Sequence, residues 1–118
     1  MPSLDEIAYS GPPPVDGYGP GFFRIAGKVH RGALAVLPGG VAPWAGPADP
    51  APFLAVAGLI DVLFVGTGPE IAPLPAPFRT ALEEAGIGIE TMSSAAACRS
   101  YNICLAEGRR IAAALIPV

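Results

Sequence analysis

The sequence predicts a single layered α/β domain built on a mixed sheet, with an N-terminal β-hairpin and flanking helices. Three observations carry this. The second half alternates apolar runs with helical periodicity, as in Val62-Leu63-Phe64-Val65 followed by Phe78, Ala81, Leu82 and Ala85. The first half reads as extended pieces joined by glycine turns. With 118 residues, 52% hydrophobic and 14% charged, the chain is long enough for one core and too apolar for disorder. No repeat or charged linker divides it, so residues 1–14 are assigned as an N-terminal extension and 15–118 as one domain.

Residues 10–21 are turn-forming throughout and are expected to form a surface loop or lead-in, with regular structure starting at Phe22. Residues 22–25 and 29–37, separated by Ala26-Gly27-Lys28, read as a hairpin, because glycine supplies the positive φ of a tight connection. Trp44 falls in a further short extended piece. Asp49 as cap and Pro50 at the first helical position begin a short helix to about Ala57, which Gly58 ends. Residues 62–65, left by Gly66-Thr67-Gly68, form a strand apolar on both faces and therefore central in the sheet. After a proline-rich loop, an amphipathic helix carries Arg79, Glu83 and Glu84 on its polar face and stops at Gly86. Residues 87–92 are the next strand. Ser93 or Ser94 then caps a helix through Glu107 whose core stripe is Ala97, Tyr101, Cys104 and Leu105, and residues 111–116 are a last buried strand.

Composition excludes several functions. A net charge of −3 without a basic run lacks the footprint for nucleic acid. A membrane helix needs about 20 consecutive apolar residues, and the uncharged stretch at 32–47 is broken by Pro38, Gly39, Gly40, Pro43 and Gly46, so a soluble protein is expected. The acidic start, Met1-Pro2-Ser3-Leu4-Asp5-Glu6, lacks signal- and transit-peptide character, which points to a bacterial cytoplasm. On one helix, Cys98 and Cys104 stand about 9 Å apart along the axis and on different faces, so they are expected as separate reduced thiols. The chain has no paired metal-ligand spacing, and neither a metal nor a cofactor is expected.

Open sheets bind ligands beyond the carboxyl ends of parallel strands, here the Gly66-Thr67-Gly68 loop and the connection at 91–94. The glycines invite a phosphate, but Ile71 stands where a dinucleotide fingerprint wants a small residue, and Pro73, Pro75 and Pro77 delay the helix. A structural turn is the favoured reading. Cys98, in a first helical turn beside Arg99, sits where dipole and cation both favour a thiolate, although packing as a small apolar residue is favoured over catalysis. His30, the only histidine, is far from Cys98 in sequence. Arg99 and Asn102, with Thr67 and Glu90, are placed at a polar pocket mouth. The candidate pocket is therefore Gly66, Thr67, Gly68, Glu90, Cys98, Arg99 and Asn102, with no residue assigned as catalytic; for Arg99, a structural tie of helix to sheet is favoured over a place at the pocket mouth. A candidate interaction surface is placed around Trp44 and Phe78 in the Ala- and Pro-rich loops.

Several segments together resemble a known family: Tyr18-Gly19-Pro20-Gly21-Phe22, Val65-Gly66-Thr67-Gly68, Gly86-Ile87 through Glu90, Ala97-Cys98-Arg99-Ser100-Tyr101-Asn102, Glu107-Gly108-Arg109 and Ala113-Ala114-Leu115-Ile116-Pro117. In order and spacing they are similar to the family that contains mitochondrial respiratory complex I assembly factor 3 and bacterial and archaeal relatives, over about residues 15–118. The resemblance implies a three-layer fold whose central mixed sheet has five strands, one antiparallel to the rest. It implies no catalytic residues and a role in binding other proteins. Ser100 stands where the family has Thr, keeping the hydroxyl. The expected function is a non-enzymatic interaction or respiratory-complex assembly factor with protein partners and room for weak homo-oligomerisation. The alternative is a small-molecule-binding protein or enzyme using Cys98 near the glycine loop.

Overall fold

Ala26 and Gly27 both adopt positive φ, 51° and 78°, the pair of angles a two-residue hairpin turn requires. The computed structural model describes residues 12–118. In it β2 (Phe22–Ile25) and β3 (Lys28–Arg31) pair antiparallel across that turn. Ahead of them β1 (Val15–Gly19) pairs with β2 and completes a three-stranded sheet. The expected start of structure at Phe22 is thereby corrected. Gly17, Gly19 and Pro20 disguise a strand as a turn; at Gly19 the Phe22 ring lies over the backbone, in the space a Cβ would take. Of the expected extension, residues 1–11 lie outside the described residues, whereas Pro13 is already buried.

The apolar run at 29–37 is two strands rather than one. Gly32, at φ 86°, turns the chain out of β3, and β4 (Leu34–Leu37) enters a second sheet, pairing antiparallel with β5 (Gly40–Pro43). The helix expected from Pro50 is a single turn, α1 (Ala51–Leu54), followed by a 3-10 turn at Ala57–Leu59. Pro50 and Pro52 withhold two N–H groups from an already short segment. Asp49 does reach its start, accepting from the Ala51 N–H at 3.1 Å.

The second half follows the expected alternation: β6 (Val62–Thr67), α2 (Ala76–Glu84), β7 (Gly88–Met92), α3 (Ser94–Ala106) and β8 (Ile111–Ile116). The five-stranded sheet has the order β5-β4-β8-β6-β7. Strand β6 is parallel to β7 and β8, and β4 alone runs against its neighbours. The last strand in sequence lies in the middle of the sheet, which is why Ile111 to Leu115 are all buried.

Period-two alternation divides these strands between two cores. Leu34, Val36, Phe64, Ile111, Ala113 and Leu115 meet α3 and the small sheet through Ala97, Cys98, Tyr101, Phe23 and Ile25. Ala35, Leu63, Val65, Ala112 and Ala114 meet α1 and α2 through Phe53, Phe78 and Leu82. The result is three layers, with the five-stranded sheet in the middle.

Candidate functional site

Because β6, β7 and β8 are parallel, Thr67, Met92 and Ile116 end on one rim of the sheet. Helix α3 begins there, and Ser94 locks it in place. Its N–H donates to Gly68 O at 2.8 Å, while its Oγ accepts from the Gly68 N–H at 2.8 Å and donates to Ile116 O. Ser94 is fully buried, yet both functions of its hydroxyl are matched. Ser93 caps the helix, its Oγ accepting from the Ala96 N–H. The glycine loop and the cysteine-bearing helix thus share a rim, as the alternating pattern requires.

The loop itself is closed. A Cβ on Gly66 would stand 2.7 Å from Ser94 Cα and 3.1 Å from Ala97 Cβ, so this glycine makes room for the helix rather than for a ligand. The Gly68 N–H is taken by Ser94. The Thr67 hydroxyl shares its proton between Glu70 O and Met92 O and accepts from the Ala72 N–H at 2.9 Å, which folds residues 69–72 back over the strand end.

The remaining candidate residues separate. Cys98 faces the interior, 4% exposed, and burial pushes its thiol up to about 11 against the opposing pull of Arg99. Desolvation outweighs the cation beside it. Arg99 itself is exposed. Asn102 is a clasp: its Oδ1 accepts from the Val15 N–H at 2.9 Å and its Nδ2 donates to Val15 O at 2.8 Å, so one amide imitates a neighbouring strand. Tyr101 adds a hydrogen bond from its hydroxyl to Pro13 O at 2.7 Å, and burial raises its pKa. Glu90 lies away from these, on a groove of about 410 Å³ between β7 and α3 that is also lined by Ser100, Cys104 and Arg109. There Arg109 approaches Cys104 Sγ at 3.7 Å. Among the described residues no three His, Cys, Asp or Glu side chains converge as metal ligands would.

The surface expected around Trp44 and Phe78 is corrected. Both are interior, 4% and 2% exposed, and with Phe53 they form an aromatic cluster with centroid distances of 5.7, 5.9 and 6.3 Å. The Trp44 Nε1–H donates to Asp49 O, so even its polar edge is satisfied inside. The exposed apolar side chains of these loops are instead Leu59 and Ile71. Sequence reading placed Ser94 among possible caps but missed its interlock with Gly68 and Ile116, whose partners lie more than twenty residues away.

The model of the family described as protein of unknown function (DUF498/DUF598) matches residues 15–116. An uncharacterised protein of Rhodobacter capsulatus is 50% identical over 113 residues, covering 96% of this chain and 91% of its own length. NADH dehydrogenase (ubiquinone) 1 alpha subcomplex assembly factor 3 of Danio rerio is 33% identical over 107 residues, covering 85% of this chain but 62% of the fish protein. The chain thus spans about three-fifths of that relative. Among solved structures, the crystal structure of an outer membrane protein from Bartonella henselae matches with a TM-score of 0.83 and 39% identity, over 92% of this chain and 97% of that one. The matched residues run from β1 to the end of β8, and the chain belongs to the DUF498/DUF598 family, as a distant homologue of the Danio rerio NADH dehydrogenase assembly factor.

Proposed function

We propose that this chain is a non-enzymatic protein-interaction factor that assists assembly of a respiratory NADH dehydrogenase complex, acting in the bacterial cytoplasm. The observation that carries the reading is its homology to the Danio rerio assembly factor. The geometry supports it. The groups an enzyme would draw on at the sheet rim are engaged in structure: Gly68 N–H with Ser94, Thr67 with its own loop, and Cys98 buried as a thiol. Among the described residues no helix is long and apolar enough to cross a membrane.

The test is deletion of the gene in the bacterium that encodes it, with assembled NADH dehydrogenase measured by native electrophoresis. The expected result is loss of the assembled complex while its subunits are still made, restored by the wild-type gene and equally by Cys98→Ala. Unchanged assembly would remove the reading. Restoration by wild type but not by Cys98→Ala, with the variant folded, would favour a thiol-dependent activity instead.

A further inference from the structure

Between the two sheets lies a cleft of about 320 Å³, with Val29, His30 and Arg31 of β3 on one wall and Val41, Ala42 and Pro43 of β5 on the other. Both strands are edges of their sheets. The Gly32 N–H donates to Gly21 O at 3.1 Å, which fixes the phase of β3: Gly32, His30 and Lys28 turn their backbone groups to β2. By alternation Val29 and Arg31 turn N–H and C=O outward. Val29 as a whole residue is also 48% exposed. An unpaired strand edge of this kind is a template for another extended chain.

Charge says what that chain should carry. From Gly17 to Ala48 the sequence holds Arg24, Lys28, Arg31 and the only histidine, but not one of the ten acidic residues of a chain whose net charge is −3; the one acid of the small sheet, Asp16, accepts from the Gly27 N–H at 2.8 Å at the turn end of β3. Arg24, Lys28 and Arg31 are exposed, and the ion pairs among the described residues lie elsewhere, at Arg79–Glu83 and Arg110–Asp61. Arg31 stands over the Phe22 ring, Cζ to centroid 6.0 Å, which keeps its guanidinium beside the strand edge.

We propose that this cleft receives an extended acidic segment of a partner protein, added to β3 as a fourth strand with its carboxylates on the face that carries Arg31 and, one strand further in, Arg24. The proposal rests on the protein-interaction reading and supplies the chemistry of the partner. A strand edge inside a two-walled cleft suits a peptide, whose N–H and C=O groups repeat at the spacing of Val29 and Arg31. A lipid headgroup has no such repeat.

The probe is a fluorescein-labelled Glu-Val-Glu-Val-Glu-Val-Glu peptide titrated with the full chain, alongside the same peptide with Lys in place of Glu. The acidic peptide is expected to bind saturably and to lose at least about tenfold in affinity between about 0.05 and 0.5 M salt, while the Lys peptide does not bind. The double variant Arg24→Glu, Arg31→Glu should abolish binding. Val29→Pro, which leaves the charges intact and removes one outward N–H, should weaken it by about tenfold. Amide exchange on the wild-type protein needs no variant: Val29 and Arg31 should gain protection when the peptide is bound. Absence of binding, equal binding of the Lys peptide, unprotected Val29 and Arg31 amides, or binding to phosphatidylglycerol vesicles in place of the peptide would each overturn the proposal. In the deletion strain the folded double-variant gene should fail to restore the complex. If it restores assembly, the cleft is wrong and the assembly role stands; if the deletion has no effect, that role falls while peptide binding is judged on its own titration.

Discussion

Gly66 and Ser94 are packed so closely that a Cβ on the glycine would stand 2.7 Å from the serine Cα and 2.8 Å from its Oγ. The first turn of α3 therefore rests directly on β6, and that contact sets the height of the whole helix above the sheet. Gly66→Ala is expected to destabilise the fold by about 1–3 kcal/mol through overpacking against backbone that cannot swing aside. Ser94→Ala should cost about 1–3 kcal/mol by a different route, leaving the buried Gly68 N–H without an acceptor. Urea unfolding followed by circular dichroism measures both; a change within error for Gly66→Ala would mean that the helix shifts freely.

The buried thiol makes a pH prediction. Burial raises Cys98 from 9.0 to about 11, so the folded state holds its proton where the unfolded chain has lost it. Stability from this group is fully present below pH 9, and it falls as pH rises from 9 towards 11, by at most about 1.4 kcal/mol per pH unit. Cys98→Ala should flatten that decline, although Tyr101, shifted in the same direction, keeps part of it above its ordinary value of 10. Urea midpoints at stepped alkaline pH decide the matter, and identical slopes for variant and wild type would refute the assignment. Ellman's reagent on the native protein at pH 8 should titrate Cys104, which is half-buried, well before Cys98.

Local pattern revealed the elements whose apolar residues repeat at a fixed period, and missed those defined by partners distant in sequence. Strand β6, helix α2 and strand β7 stand out because a continuous apolar run, a 3.6-residue stripe and a glycine stop each lie within one short window. Strand β1 was hidden because Gly17 and Gly19 carry turn chemistry; what makes residues 15–19 a strand is pairing with β2, and Asn102 reaching Val15 from α3 holds its first residue. The same limit governs the site. A place for Cys98 near a helix start is readable and leaves two readings open, a reactive thiolate and the favoured one, packing as a small apolar residue; only tertiary structure decides between them, since Cys98 is the fifth residue of α3 and is buried against the small sheet. Trp44 and Phe78 looked like loop residues because prolines surround them, whereas an aromatic among prolines can equally be the anchor that pins a loop to the core.

Trp44 is the only tryptophan, which makes its burial easy to read. Its emission should be blue-shifted in the native protein and move to longer wavelength in step with unfolding. Trp44→Ala should cost about 3–5 kcal/mol by emptying the space between Phe53 and Phe78. A native emission maximum typical of solvated indole would contradict the packing. The variant is accordingly a probe of stability and not of binding.

Asn102 offers a test of how the small sheet is held to the rest of the molecule. Its amide satisfies both backbone groups of Val15, so Asn102→Ala leaves a half-buried edge short of two hydrogen bonds. Asn102→Asp keeps an acceptor for the Val15 N–H but sets a carboxylate against Val15 O, where no proton is left to donate. Both changes should destabilise by about 1–3 kcal/mol, and the loss should be local before it is global. In hydrogen exchange, amides of β1 are expected to lose protection in either variant while those of β6 and β8, in the middle of the larger sheet, keep theirs. Uniform loss across all eight strands would show instead that the three-stranded sheet and the central sheet unfold as one unit, with Asn102 no more than one contact among many.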